Sequence, residues 1–168
     1  EWESNRKFNV IYIEQVLSHL SKENVERVLD KVRKHMYNNS VLIIEEPNDY
    51  NMLQDYLVNR MLARPHYWET KDHLSYFSHS SLKELLEHKV YLVLESQSTW
   101  PMEWFQISGD DYLGDDKKGA IVHEKRFKIL DALDGGRMEL ARCFANIGIG
   151  RDILLYSRIN YECLCGGQ

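Results

Sequence analysis

Residues 8–20 read FNVIYIEQVLSHL, and this stretch decides the fold class. Its first six residues, Phe8 to Ile13, are apolar and rich in β-branched and aromatic side chains, which predicts a strand buried on both faces in a parallel sheet. The apolar run then breaks into Glu14 and Gln15. Because ligands of open α/β sheets bind outside the carboxyl ends of the strands, a buried strand that ends in polar side chains indicates a site at its end.

The segment that follows completes a βαβ unit. Ser21 is a candidate helix N-cap, and apolar side chains recur at helical spacing up to about Tyr37. A turn predicted at 38–40 leads to a second apolar run, Val41 to Glu45 (VLIIE). A strand, an amphipathic helix and a strand in this order predict two parallel strands.

Two more strands are predicted further along, VYLVLE at 90–95 and DILLYSR at 152–158. Between them, residues 96–118 have the character of a loop and 119–147 that of helix broken at Gly135 and Gly136. Four strands make a small open sheet, and nothing in the sequence covers one of its edges. We predict a single partial domain over 1–168, with a βαβ-rich core (1–96), a loop and helical insertion (97–150), the last strand (151–160) and a short tail (161–168).

Composition and charge argue against several classes of function. The net charge of −5 lacks the basic excess that is typical of nucleic-acid binding. No apolar run approaches the roughly 20 residues of a membrane span. Three cysteines are too few for a disulfide framework, which favours a reducing, cytoplasmic setting. The His and Asp spacings match no common zinc or calcium motif, and we predict no metal site.

All nine glycines lie at or after Gly109. The first 108 residues therefore hold no glycine-rich loop of the kind that cradles a phosphate or a nucleotide. The single Gly-x-Gly, at 148–150, precedes a strand instead of following one, so we interpret it as a helix C-cap and turn.

The order of these segments resembles the C-terminal half of class I S-adenosylmethionine-dependent methyltransferases, in the branch that methylates small molecules. FNVIYIEQVLSHL is similar to the family's fourth strand, VLIIEEPN to its fifth strand and VYLVLES to its sixth. GRDILLYSRI is similar to the seventh strand. HLSYFSHSSLKELLE is similar to the family's His-x-x-(aromatic)-Phe-Ser-x-x-Ser-Leu segment. The resemblance covers about residues 7–96 and 150–160. It implies an α/β fold with a partial Rossmann-like methyltransferase sheet (strands equivalent to 4, 5, 6 and 7), the last strand antiparallel and placed between the fifth and the sixth, with a helical insertion before it.

The resemblance implies methyl transfer from S-adenosylmethionine to a small polar acceptor, at oxygen or nitrogen. It also implies that the chain is a C-terminal fragment and inactive alone, because the family's first three strands and glycine-rich loop have no counterpart here. Glu14, Gln15 and Val16 are then expected to line the cofactor.

Several residues are candidates for acceptor binding and catalysis. Methylation of a hydroxyl needs a base near neutral pKa and a pocket that excludes water, which histidines and aromatic rings supply. His73 is the first candidate base and His66 the second. The expected substrate-binding residues are Glu45, Glu46, Asn48, Tyr67, Tyr76, Asp110, Asp111 and Tyr112.

Each of these candidates also has a purely structural interpretation. Consecutive strand residues point to opposite faces, so only one of Glu45 and Glu46 is expected to face a pocket. The loop WFQISGDDYLGDD that carries Asp110 and Asp111 is either a substrate lid or a solvated acidic loop. The histidines either act on substrate or tie down a loop.

The sequence leaves two other functions open. The first is a noncatalytic interaction module that completes its sheet with a partner or a swapped copy. A nicotinamide-dependent oxidoreductase on a similar sheet is the second rival, and it also requires a glycine-rich loop. The expected partners are a small-molecule substrate and a second copy of the chain along the exposed sheet edge, with neither nucleic acid nor membrane.

Overall fold

The structure, a computed structural model that describes residues 5–165, is organised around one open, mixed sheet. Its strands are β1 (Phe8–Glu14), β2 (Met36–Pro47), β3 (Tyr91–Ser98) and β4 (Asp152–Ile159), in the order β1-β2-β4-β3. β1 and β2 are parallel, while β4 runs antiparallel to both of its neighbours. This confirms the α/β class, the parallel βαβ unit and the position of the last strand.

Seven α-helices occur in the described part of the chain: α1 (Lys22–Lys34), α2 (Met52–Asn59), α3 (His79–His88), α4 (Glu103–Ile107), α5 (Asp116–Ala132), α6 (Arg137–Asn146) and α7 (Tyr161–Cys165). The predicted break at Gly135 and Gly136 is confirmed as a short 3₁₀ turn between α5 and α6. α4 lies inside the segment predicted as loop, and α7 occupies the start of the predicted tail, of which 166–168 lie outside the described residues. None of the described helices combines the length and the apolar character that crossing a membrane needs.

The prediction that β1 is buried on both faces is wrong. Val10 and Tyr12 are 57% and 50% exposed, whereas Ile13, on the opposite face, is buried. β1 stands at the end of the sheet, and the helices that pack on the sheet's buried core, α1 and α3, cover only the Ile13 face. An apolar run does not distinguish such a strand from a central one.

The predicted turn at 38–40 is also wrong, because this segment belongs to β2. The Ser40 hydroxyl accepts the Tyr37 N–H at 2.7 Å and donates to the Phe8 carbonyl at 2.6 Å. These bonds join the irregular start of β2 to β1, where the strand register shifts between Phe8 and Val10. Side-chain hydrogen bonds thus keep a polar stretch in the sheet that its composition places in a turn.

The core lies between one face of the sheet and the helices α1 and α3. It consists of fully or nearly fully buried side chains, including Val25, Leu29, Leu42, Ile44, Leu82, Leu86, Tyr91, Ile153 and Leu155. The Tyr91 hydroxyl donates to the Leu29 carbonyl at 2.7 Å, which ties β3 to α1 inside this apolar layer. This layer fixes the sheet from which the site residues project.

The Gly-x-Gly segment is a helix end, as predicted. The N–H of Gly148 donates to the Ala145 carbonyl and that of Ile149 to the Phe144 carbonyl, both at 3.0 Å, which is the Schellman pattern at the end of α6. Gly148 and Gly150 have φ of +73° and +115°. At Gly150 a Cβ atom would lie 2.2 Å from Ser98 Oγ and 2.4 Å from the Thr99 carbonyl oxygen.

We expect Gly150→Ala to destabilise the fold by at least about 2 kcal/mol, because it combines a strained φ with a clash against backbone. Gly148→Ala has the strained φ without the clash and should lose about 1 kcal/mol. Gly119→Ala, in open space within α5, should gain about 0.5–1 kcal/mol. Urea denaturation of the three variants measures this order, and equal effects at Gly148 and Gly150 would contradict it.

Candidate active site

The ends of several strands meet at one edge of the sheet and enclose a cavity of about 390 Å³. Gln15 follows β1, Asp49 follows β2, and Asp152 begins β4. Because β4 is antiparallel, its first residue pairs with the last residue of β2, Pro47. The residues that line the cavity are Gln15, Pro47, Asp49, Gln54, Tyr67, Trp68, Thr70, His73, Met102, Glu103, Tyr112, His123, Arg151 and Asp152.

The turn after β1 is held by the side chain of Glu46. This carboxylate is fully buried and accepts the backbone N–H groups of Val16, Leu17 and Ser18 at 2.9, 2.6 and 3.1 Å. Gln15, one residue earlier, has φ of +50°, and its N–H donates to the Glu45 carbonyl. A buried charge accepting three backbone donors fixes the turn in a conformation that a non-glycine residue otherwise disfavours.

Glu46→Gln should lower the free energy of unfolding by about 2–3 kcal/mol, because an amide has one acceptor oxygen and turns its NH₂ group toward backbone donors. Glu45→Gln is the matched control. Glu45 lies on the opposite face, where it accepts the hydroxyl of the half-exposed Tyr12, and its loss should change stability by less than about 1 kcal/mol. Chemical denaturation compares the two, and a smaller effect at Glu46 would contradict the assignment.

Three carboxylates surround the cavity, and each comes from a different element. Asp49, Glu103 and Asp152 are 5%, 6% and 8% exposed. Burial raises the pKa of all three, and the negative charges of Asp152 and Glu103 raise that of Asp49 further, to about 7. The cavity is therefore a place where negative charge is concentrated and only partly neutralised.

Asp152 is the best compensated of the three carboxylates. Its Oδ2 accepts the Thr99 hydroxyl at 2.9 Å, and its own N–H donates to that hydroxyl oxygen at 3.0 Å. The neighbouring Arg151 side chain is exposed and lies 3.0 Å from His123 Nε2. Burial and the charge of Arg151 lower the pKa of His123, which keeps this ring neutral.

Four residues that line the cavity each have a buried polar atom without a hydrogen-bond partner in the described part of the chain: Tyr67 Oη, Trp68 Nε1, His73 Nδ1 and Glu103 Oε2. Burial raises the pKa of Tyr67, and the nearby Glu103 carboxyl raises it further. The hydroxyl of Tyr67 lies close to this carboxyl, but no hydrogen bond of ordinary geometry joins the two groups. Because buried polar groups are normally paired, such a cluster indicates a place where a ligand supplies the partners.

The charge of Asp49 makes a testable contribution to the pH dependence of stability. Its folded pKa of about 7 exceeds the ordinary 3.8, so between about pH 4 and pH 7 the folded state holds a proton that the unfolded state has released. Stability therefore falls as pH rises through this window, by an upper limit of about 4 kcal/mol for this group.

Asp49→Asn should remove that part of the slope, so the variant gains stability over the wild type at pH 8 and differs little at pH 4. Thermal unfolding at both pH values measures the difference, with Asp131→Asn, on the exposed surface, as control. An unchanged pH slope in Asp49→Asn would refute the assignment.

The structure brings four of the sequence-predicted residues into the cavity wall: Gln15, Tyr67, His73 and Tyr112. His73 is half-buried, and its ring meets that of His19 edge-on at 4.9 Å between centroids. The segment that carries His73 is fastened to the turn after β1, because the Ser18 carbonyl accepts the N–H groups of Leu74 and Ser75.

The two residues that flank Gln15 do not line the cavity. Glu14 and Val16 are exposed, and the Val16 N–H is taken by Glu46. Glu45 and Glu46 point to opposite faces as predicted, but neither lines the cavity. Their carboxylates bond instead to Tyr12 and to the turn after β1.

Asn48 serves the backbone beside the cavity. It is buried, and its side-chain N–H groups donate to the carbonyls of Gly148 and Gly150 at 3.1 and 3.0 Å. Its Oδ1 has no partner in the described chain. These bonds connect the end of β2 to the turn before β4, so the residue positions the wall without lining it.

The remaining sequence candidates lie outside the cavity wall. His66 is exposed, with Nδ1 3.0 Å from a Glu69 oxygen. The Tyr76 hydroxyl donates to the Thr70 carbonyl. In the acidic loop, Asp110 forms an ion pair with Lys125, and Asp111 accepts a hydrogen bond from Gln106.

Sequence reasoning missed the acidic residues that define the cavity. Asp49 follows the predicted second strand and Asp152 begins the predicted last one. Polar residues at strand ends mark sites in such sheets, so these two positions could have been selected from the sequence. Glu103 stands alone among apolar neighbours in PMEWF, and a lone carboxylate in an apolar segment is a candidate for burial. No cluster of three or more His, Cys, Asp or Glu that could hold a metal occurs within residues 5–165.

Comparisons with known proteins identify the class. A family profile described as a methyltransferase domain matches residues 1–91, and the chain belongs to this family. The fold is that of the class I S-adenosylmethionine-dependent methyltransferases, whose cofactor is S-adenosylmethionine. A search of curated proteins gave no match.

Seventy-three chains of solved structures match the fold. A SAM-dependent methyltransferase from Archaeoglobus fulgidus is 16% identical with a TM-score of 0.50, over 92% of this chain and 60% of that one. Mycolic acid cyclopropane synthase CmaA1, complexed with SAH and CTAB, is 10% identical with a TM-score of 0.50, over 93% and 57%. The chain thus spans about 60% of the length of these two structures, and at such identities the likeness concerns the fold.

Proposed function

We propose that the chain takes part in methyl transfer from S-adenosylmethionine to a small polar acceptor, at oxygen or nitrogen. The observation that carries this proposal is the cavity at the strand ends, with its four unpartnered polar atoms, in a chain of the methyltransferase family. The family match favours this function over a nicotinamide-dependent oxidoreductase. We further propose that these residues act with a glycine-rich segment they do not contain, since no glycine precedes Gly109.

The turn after β1 fits one wall of a cofactor site. Gln15 lines the cavity, and its left-handed backbone is fixed by the strand end and the Glu46 carboxylate. Glu14, Gln15 and Val16 are the residues proposed to hold the cofactor. S-adenosylmethionine supplies an electrophilic methyl group on a positively charged sulfur, and the chain's own residues orient the acceptor and receive its proton.

His73 is the proposed base. Its half-buried ring lines the cavity, and its Nδ1 has no hydrogen-bond partner in the described chain, which leaves an acceptor atom for a proton. His66 is the second candidate, but its exposure and its contact with Glu69 favour His73. Tyr67 and Tyr112 are proposed to shape the acceptor pocket and exclude water.

The other sequence candidates are proposed to support acceptor binding indirectly. Glu45, Glu46 and Asn48 hold the strand ends, and Tyr76 packs its ring on His73 at 5.9 Å between centroids. Asp110 and Asp111 lie in the loop that leads to Tyr112 and are proposed to act as part of a lid. Exposed free thiols at Cys143 and Cys163 support a reducing, cytoplasmic location.

A noncatalytic interaction module is the second candidate, and the exposed side chains of β1 favour it. Among the described residues β1 pairs with β2 alone, so its other edge is unpaired. The side chains of Val10 and Tyr12, on one face of β1, are exposed. A second copy of the chain is the proposed partner at this edge.

Titration calorimetry with S-adenosylmethionine, on the product of the complete gene, tests the proposed function. We expect binding, and His73→Gln should keep that binding while it lowers turnover of an acceptor by about 10²–10⁴-fold. His66→Gln is the matched control and should stay within about twofold of the wild type. Absence of cofactor binding by the complete gene product would refute the methyltransferase function and leave the interaction module.

A further inference from the structure

We infer that the acceptor is an organic amine that enters the cavity as a cation and is held by Asp49, Glu103 and Asp152 against the rings of Tyr67 and Trp68. The ammonium group gives one proton to the proposed base, His73, and the lone pair so freed attacks the methyl group while the sulfonium leaves as a neutral thioether. The inference rests on the proposed function only in taking this cavity as the acceptor site and His73 as the base. It narrows the acceptor from any small polar molecule to one charge class.

The charge balance of the cavity is the first argument. Its three carboxylates are each more than nine-tenths buried, whereas the one arginine in its wall, Arg151, is exposed and beside His123. The charges of Arg151 and the half-buried Arg126 offset only part of the rise in the pKa of Asp152 that burial causes. Buried carboxyl groups that lie close together tend to keep their protons, because burial and mutual repulsion disfavour the ionised forms. The raised pKa of Asp49 has these two causes. A positive group between the carboxyl groups relieves both effects.

Glu103 supplies the second, independent argument. The residue lines the cavity, and its buried Oε2 has no hydrogen bond of ordinary geometry within the described residues. The side chains of Asn51 and Tyr67 lie near this carboxyl and offset only part of the rise in its pKa that burial causes. Glu103 stands at the start of α4, and the neighbouring Gln106 ties this helix to the Leu62 carbonyl at 3.0 Å. Asn51 and Tyr67 are neutral donors, and an ammonium N–H is a donor that also cancels the charge of the carboxylate.

The aromatic wall fits the same class of ligand. Tyr67 and Trp68 meet edge-to-face, with 5.1 Å between ring centroids, and both line the cavity. Aromatic faces attract organic cations, an effect that is strongest for tryptophan and for desolvated sites. An apolar amine therefore finds ring contacts for its carbon skeleton and carboxylates for its nitrogen.

A metal ion does not satisfy these observations as well as an amine. Within residues 5–165 no three acidic, histidine or cysteine side chains converge closely enough to bind one. The carboxylates surround a cavity of about 390 Å³ instead of a point, which matches a molecule with a body. Anionic acceptors are disfavoured by repulsion, and a neutral alcohol offers no positive charge to replace the protons that these carboxyl groups hold.

A matched series of probes tests the inference without cofactor: benzylamine, benzyl alcohol and benzoate. Titration by NMR on the 168-residue chain at pH 7.5 should show benzylamine binding at least tenfold more tightly than the alcohol, and benzoate more weakly than both. Glu103→Gln should weaken benzylamine at least tenfold and change the alcohol less than twofold. Glu139→Gln, exposed on α6, is the control and should change neither.

Proton release gives a second readout. Asp49 faces Glu46, Glu69, Glu103 and Asp152, and the cavity also contains His73, His123 and Arg151. At pH 6.5 the binding of benzylamine should release a proton from the Asp49 carboxyl group. Calorimetry in two buffers of different ionisation enthalpy measures this release. Asp49→Asn, a conservative variant whose folding is checked by circular dichroism, should reduce the release.

Equal binding of amine and alcohol, tighter binding of benzoate, or an unchanged amine affinity in Glu103→Gln would each overturn the inference. The outcomes are separable from those of the proposed function. Amine binding without cofactor binding by the complete gene product leaves the cationic site and removes the methyltransferase function. Cofactor binding without amine selectivity does the reverse.

Discussion

The site depends on one buried carboxylate. Glu46 projects from the core face of β2 and accepts three N–H groups of the turn that follows β1. The same turn presents the Ser18 carbonyl to Leu74 and Ser75, and through them it positions His73 over the strand ends. A carboxylate on one strand therefore organises two loop segments that together form one wall of the cavity, and hydrophobic packing alone does not determine this arrangement.

The antiparallel last strand decides which residues share the cavity. Parallel strands place only their carboxyl ends at this edge, but β4 brings its amino end to the same edge, beside the end of β2. Arg151 and Asp152 thereby join residues that follow β1, β2 and β3. The helix end at Gly148 and the close approach of Gly150 to β3 set the point at which β4 enters the sheet. The Asn48 side chain donates to the carbonyls of both glycines and thereby connects the start of β4 to the end of β2.

The sequence predicted the strands and the sheet order because apolar periodicity and the family resemblance both report on backbone pairing. It failed on the exposure of β1, because an edge strand and a central strand share the same apolar run. It proposed Asp110 and Asp111 as substrate-binding residues, and these pair with Lys125 and Gln106. It did not select Asp49, Glu103 and Asp152, which line the cavity. Burial of an acid arises when distant segments converge, and no local pattern around these residues records that convergence.

The backbone of the acidic cavity is fixed before any ligand enters. Asp152 forms the first residue pair of β4 with β2, and its N–H donates to the Thr99 hydroxyl. The Asp49 N–H donates to the Phe77 carbonyl. The two carboxylates therefore cannot separate without breaking backbone hydrogen bonds. Folding itself brings these acidic groups together, against their mutual repulsion. A cationic ligand therefore binds to acidic side chains that are already in position, and the protein reorganises little when it binds.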